Sequence, residues 1–383
     1  MKKPTVQDIF HSFYPKYLEK YTPSPIQAKA ARDIMNCKTG AYGSNVSICT
    51  NCGHTHIHHN SCRNRCCPMC QAVTKELWMD ARREDVLEAP YFHMVFTVPE
   101  QLNPVIYSNQ KLLYDALYHA ASSTIQELSA DSKYLGAKVG YICVLHTWGS
   151  QMNYHPHIHT ILLGGGLTVE KKWKDNGDKF FLPIRVVSKV FKGKYLEELK
   201  QLWKDEKLEF HGSSEMYQNR YRFQELLDQC YAMEWVPYCK KTFNGAQSVI
   251  DYLGKYTHRI AISNHRILRM NDKTVTFSVK DYRNEGKWKE LTLLGEEFIR
   301  RFLMHVPPKR FMRLRHYGLL CSRSKKKHLI LCRNLLGCQK YLSRLRGKEI
   351  PEILKQLFKI DITKCSVCGG MLGRPQKISP LLC

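Results

Sequence analysis

The 383-residue sequence contains no run of about 18 consecutive apolar residues, the length a membrane-crossing helix needs. Its opening stretch, MKKPTVQDIFHSFYPKYLEK, lacks the apolar core of an export signal, so a cytoplasmic protein is expected. Acidic residues are scarce. Asp and Glu number 34 against 59 Lys and Arg, and the resulting net charge of +25 attracts polyanions. Nucleic acid becomes the leading partner, and no membrane partner is expected. Nor does any segment repeat with a period of roughly 20 to 50 residues, which excludes a solenoid or propeller. What is present is ordinary globular usage, 43% hydrophobic and 24% charged, which excludes a mainly disordered chain. The 16 cysteines, without an export signal, point to metal ligands or free thiols rather than disulfides.

Patterning divides the chain into three parts and predicts an α+β fold. Residues 1–88 hold a helix at Ile26 to Met35, a cysteine cluster and a helix from Val73 to Leu87, with too little apolar sequence to fold without a staple. Pro90 marks the boundary of a second part, 89–294. Its strand Tyr91 to Val98 is rich in aromatic and β-branched residues. Helical spacing over Leu102 to Leu128 is followed by strands at Val139 to Trp148 and His157 to Leu163, which predict a hairpin. Helices near Ser188 to Phe210 and Phe223 to Tyr231 precede a strand at Trp235 to Phe243. A helix from Ala246 to His258 follows, with Asn244 as its N-cap. Strands at Arg266 to Met270, Thr274 to Val279 and Trp288 to Leu293 close this part. The third, 295–383, has a helix at Glu296 to Met304, then basic sequence and a terminal Cys365-x2-Cys368.

Cys49-x2-Cys52 and Cys67-x2-Cys70 are short thiol pairs separated by 14 residues, the layout by which a small module gathers four thiolates around tetrahedral zinc. Gly53 and Pro68 place each pair in a turn. Cys62, Cys66 and the histidines His54, His56, His58 and His59 are spare ligands. Cys365 and Cys368 make half of another site, for which Cys332, Cys338 and Cys383 are the available completions.

Side chains alternate along a strand, so His157 and His159 project from one face of YHPHIHTILLGGG while Ile158 turns inward. Two imidazoles are half a metal site. A hairpin sets His146, on the preceding strand, beside them as the third ligand, with His155 or a distant residue as the alternatives. Farther along, Tyr252 and Tyr256 are four residues apart on the predicted helix and share one face. The same helix carries Lys255 and Arg259, suited to phosphate, and Gly254, which permits close backbone approach.

Taken together, NSCRNRCCPMCQ at 60–71, FHMVFTVPE at 92–100, HTW at 146–148, HPHIHTILLGGGL at 155–167, YLGKYTHRIAISNHRI at 252–267 and RLRHYGLL at 313–320 resemble the rolling-circle insertion-sequence transposases. These are the two-tyrosine HUH class, the insertion-sequence ninety-one group, and the resemblance spans nearly the whole chain in order. It implies an HUH-type antiparallel sheet with flanking helices, preceded by a zinc-binding domain. It also implies that His157 and His159, with His146, hold Mg2+ or Mn2+, that Tyr252 and Tyr256 attack DNA to leave 5′-phosphotyrosine links, and that the amino-terminal cysteines hold structural Zn2+. The partner implied is single-stranded DNA at element ends and target, with the protein nucleoid-associated and Lys255, Arg259, Arg266, Arg313 and Arg315 on the phosphates. Relatives usually have His at the position of Cys66 and often Arg at that of Lys255. A replication initiator or relaxase would share the chemistry; a zinc-dependent regulator would bind DNA without cutting it.

Overall fold

A computed structural model describes residues 3–177, 179–235, 237–242, 249–250, 254, 261–281 and 285–380. Helix α1 (Val6–Lys20) starts from a capping box: the Thr5 hydroxyl accepts from the Asp8 amide at 3.2 Å and the Asp8 carboxylate accepts from the Thr5 amide at 2.8 Å. It has no counterpart in the sequence reading, because Pro15 interrupts its pattern; Ile9, Phe10, Phe13 and Tyr17 nevertheless form a buried stripe. Helix α2 (Pro25–Met35) begins with proline at its first turn, where the missing N–H is not needed. Strands β1 (Ser44–Ile48) and β2 (Thr55–His59) form a hairpin, and α3 (Ala72–Arg83) leads to the main sheet.

That sheet begins with β3 (Tyr91–Thr97). A short α4 (Asn103–Ser108) and the long α5 (Gln110–Ala130) separate it from β4 (Lys138–Trp148) and β5 (Tyr154–Leu167), the predicted hairpin, to which β6 (Trp173–Asp175) adds. Then come α6 (Ile184–Lys204), α7 (Arg220–Ala232) and β7 (Tyr238–Thr242). Strands β8 (Ile267–Met270), β9 (Thr274–Asp281) and β10 (Lys287–Leu294) make a separate antiparallel meander ending in α8 (Gly295–Met304). The last elements are β11 (Leu314–Gly318), α9 (Lys325–Leu336), α10 (Ile350–Phe358) and β12 (Gln376–Ile378).

The fold is α+β, an antiparallel sheet flanked by helices. Strand order in the main sheet is β11-β4-β5-β3-β7, so β5 lies at its centre. On the back face, Met94, Phe96, Tyr141, Cys143, Leu145, Ile158 and Leu162 pack beneath α5 and α6 into one large core. On the front, Ile142, Val144, Ile161 and Leu163 meet Met79 and Leu87, together with Val249 and Ile250. A third core joins α1 and α2 to α8 and the β8–β10 meander, so the expected helix at Ile26 to Met35, now α2, shares its apolar residues with 261–306.

Candidate functional site

The central strand sets the geometry. Pairing places His146 opposite His157 and Val144 opposite His159, and all three histidines emerge from the front face. Their ligand atoms lie within 4.8 Å of one another. His157 Nε2 and His159 Nε2 are 3.0 Å apart. His155, the alternative third ligand, instead supplies its backbone: His157 Nδ1 stands 2.6 Å from the His155 carbonyl oxygen. A carbonyl only accepts, so Nδ1 carries the proton and Nε2 keeps its lone pair for the centre. His93 on β3, a residue not foreseen as part of the site, stacks on His159 at 5.1 Å with its Nε2 2.9 Å from His159 Nδ1. With His159 as donor to His93, the second inward Nε2 is likewise a lone pair. The indole of Trp148 lies flat against His146 at 4.4 Å.

Burial sets the charge state. Loss of solvent pushes the His157 imidazole down to about 3, His93 to about 4, and His159 well below the ordinary histidine range, with neighbouring imidazoles adding to the effect at His157 and His159. Neutral imidazoles are the form that binds a divalent ion, and three imidazoles with ligand atoms within 4.8 Å of one another are a donor set that fits one.

The front face joins these histidines to the next expected element. Ile142, Val144 and Ile161 continue the rows of His146, His157 and His159 one and two pairs along, and they share one buried apolar cluster with Val249 and Ile250. Tyr252, Tyr256, Lys255 and Arg259 lie outside the described residues. Gly254, between the tyrosines, is helical and so close to Met79 on α3 that a Cβ there would collide with the thioether sulfur.

Three arginines expected on phosphates are engaged by groups of the protein itself. Arg266, buried to 7% exposure, donates to the carbonyls of Ser278 at 2.8 Å and Ser150 at 2.6 Å and lies over the Phe277 ring. Arg315 pairs with Asp115 and stacks on Tyr118 at 4.0 Å. Arg313 is desolvated over Trp148, and burial lowers its basicity. The reason is topological: RLRHYG is not a free tail but strand β11, paired to β4 with His316 opposite Ile142. Lys309, Arg310, Arg323, Lys326 and Lys327 remain exposed.

The cysteines also regroup. Cys49, Cys52, Cys67 and Cys70 do not surround one point. Cys67 and Cys70 gather with Cys37 and Cys62, while Cys49 and Cys52 face Cys365 and Cys368. The hairpin β1–β2 carries the first pair away from the second, and Cys37, just beyond α2, takes its place. Cys62 and Cys70 are 3.8 Å apart. Zinc bonded tetrahedrally at about 2.3 Å spaces its sulfurs by about 3.8 Å, so the set fits. Cys66 belongs to neither group; it is buried near Arg313 and Arg65, and burial raises its thiol to about 11. Cys332 and Cys338 pack in the front apolar cluster, and Cys383 lies outside the described residues.

Comparison with known proteins gives this arrangement a family. Residues 140–328 match the family described as "Putative transposase", and 9–98 match the "Transposase zinc-binding domain". "Putative transposase y4qJ" of Sinorhizobium fredii is 41% identical over 369 residues, covering 95% of this chain and 93% of its own. The transposase of insertion sequence element IS801 from Pseudomonas savastanoi is 28% identical, covering 93% and 85%. Among solved structures, a metal-bound conjugative relaxase TrwC in complex with oriT DNA covers 67% of this chain and 96% of its own at 12% identity, with a TM-score of 0.26, too low to add to the description. The protein is a transposase of the rolling-circle type. It belongs to the insertion-sequence ninety-one family, with the amino-terminal zinc-binding domain of that group. Among the described residues no helix is long and apolar enough to cross a membrane.

Proposed function

We propose that this transposase cuts and rejoins single DNA strands through 5′-phosphotyrosine links formed by Tyr252 and Tyr256, with Mg2+ or Mn2+ held by His146, His157 and His159, and with structural Zn2+ at Cys37, Cys62, Cys67 and Cys70. The observation that carries the reading is the shared front face: three imidazoles stand at one end of rows whose apolar continuation belongs to one buried cluster with Val249 and Ile250. Those two residues lead directly into the segment bearing both phenols.

A divalent ion at the three imidazoles would polarise the scissile phosphate and stabilise charge on the departing oxygen. The rest falls to the chain. A tyrosine with an ordinary pKa of ~10 gives up its proton as its oxygen bonds to phosphorus, the bond from phosphorus to the 3′ oxygen breaks, and that oxygen leaves as a hydroxyl. The new ester preserves the phosphodiester energy. A later 3′ hydroxyl reverses the exchange and releases the tyrosine, so two tyrosines can carry two strands, one of donor and one of target. His155 and His93 hold the ligand rings in the inward-facing tautomer. The exposed cations Lys309, Arg310, Arg323, Lys326 and Lys327, within a net charge of +25, suit the phosphates of an unpaired strand.

The test is labelled single-stranded element-end DNA incubated with the protein and Mn2+. An SDS-resistant adduct is expected, absent from the Tyr252→Phe, Tyr256→Phe double variant. A shifted but never covalent complex would instead indicate a DNA-binding regulator.

A further inference from the structure

One thiol pair has no part in this chemistry. Cys365 and Cys368 lie outside both family matches, which cover 9–98 and 140–328. We propose that they complete a second structural zinc site with Cys49 and Cys52, a clasp that ties the carboxy-terminal segment to the amino-terminal hairpin.

The four sulfurs lie within 4.8 Å of one another. Across the two segments, Cys49 Sγ is 3.5 Å from Cys368 Sγ and Cys52 Sγ is 3.7 Å from Cys365 Sγ. These spacings match a single tetrahedral ion, are too long for disulfides and are too short to enclose an iron–sulfur cluster.

Both halves are built alike. Cys49-Thr50-Asn51-Cys52-Gly53 and Cys365-Ser366-Val367-Cys368-Gly369 are tight turns in which the glycine amide donates to the first cysteine carbonyl, at 3.1 Å and 2.9 Å. Each glycine has positive φ, 68° at Gly53 and 74° at Gly369, a conformation that a side chain would strain. Backbone amides are aimed at the sulfurs: Asn51 N–H at Cys49, Val367 N–H at Cys365 and Gly370 N–H at Cys368, each at 3.4 Å. A sulfur that accepts such bonds is best served as a thiolate, the metal-binding form.

The surroundings need an ion. β12 pairs with β1, Cys49 bridges to Leu372, and the Gly373 amide donates to the Ile48 carbonyl at 2.8 Å. Yet Ile48, Ile57 and Ile378 of this three-stranded sheet are 55%, 61% and 54% exposed. The sheet has little apolar core to hold a strand from the far end of the chain against the entropy of closing so long a loop. Metal binding supplies that folding energy instead.

Native mass spectrometry of the full-length protein should find one zinc ion fewer per chain in the Cys365→Ser, Cys368→Ser variant than in the wild type. In the unmodified zinc-loaded protein, Cys365 and Cys368 should resist alkylation by iodoacetamide while the exposed Cys321 reacts; a chelator, and not a reductant, should unmask them. An equal zinc count in wild type and variant, or Cys365 and Cys368 of the zinc-loaded protein alkylated as fast as Cys321, would each overturn the proposal. None of these readouts uses DNA, so strand cleavage can fail without affecting the result.

Discussion

The two faces of the central sheet are made of the same strands and serve opposite ends. On the back, every inward residue from Met94 to Leu162 is apolar, except for polar atoms satisfied in place, such as Thr160 with Cys143 at 3.3 Å. On the front, the rows begin apolar at Ile142 and Ile161 and end in His146, His157 and His159. The back therefore makes the strands rigid, and the front uses that rigidity twice: its apolar half packs in one cluster with Val249 and Ile250, and its polar half fixes three imidazoles in register. A one-residue slip of β5 would exchange the two faces, so the large back core is what guarantees that the histidines point forward.

Breaking the polar half has the largest expected effect. His157→Ala should reduce DNA cleavage to background in the adduct assay while salt-sensitive DNA binding, measured by filter retention, stays close to wild type. Binding lost in parallel with cleavage would mean that the imidazoles serve the fold instead. A smaller effect is expected at His93, which only orients a ligand ring: His93→Ala should weaken Mn2+ affinity about 10- to 100-fold by calorimetry, with DNA binding unchanged. On the back face, Leu162→Ala should lower stability by about 2–5 kcal/mol in urea unfolding and leave the metal affinity of the folded protein unaltered.

The smallest effect concerns an imidazole outside the triad. His305 is buried, its Nδ1 3.1 Å from the Thr147 hydroxyl and its Nε2 3.1 Å from the Met152 carbonyl, and burial pushes it down from 6.5 to about 4. The folded protein keeps it neutral where the unfolded chain binds a proton. Stability should therefore fall as pH drops from about 6.5 toward about 4, and His305→Gln should flatten that part of a urea-midpoint profile.

The grouping of His146 with His157 and His159 was legible because they come from adjacent strands of one hairpin, where alternation and register are local rules. His93 was missed although its place in the alternation of β3 puts it on the same face, since only the sheet order β4-β5-β3 brings it to His159. The cysteines were legible as metal ligands and illegible as sets. Spacing suggested one site from Cys49, Cys52, Cys67 and Cys70, but Cys37 and the distant Cys365 and Cys368 join through tertiary closure, which no spacing encodes. Arg266, Arg313 and Arg315 show the limit of reading charge as surface: a guanidinium can satisfy backbone carbonyls or a carboxylate within the fold as readily as it meets a phosphate. β11 was hidden by its sequence, LRHYG, in which basic and aromatic residues replace the apolar alternation of the other strands.

The most direct measurement is peptide mapping by mass spectrometry of the covalent adduct formed on single-stranded element-end DNA with Mn2+. The account predicts a nucleotide 5′-phosphate on Tyr252 or Tyr256, and no modified peptide when His157 and His159 are both alanine. A phosphate on any other residue, or modified tyrosine persisting without those histidines, would contradict it.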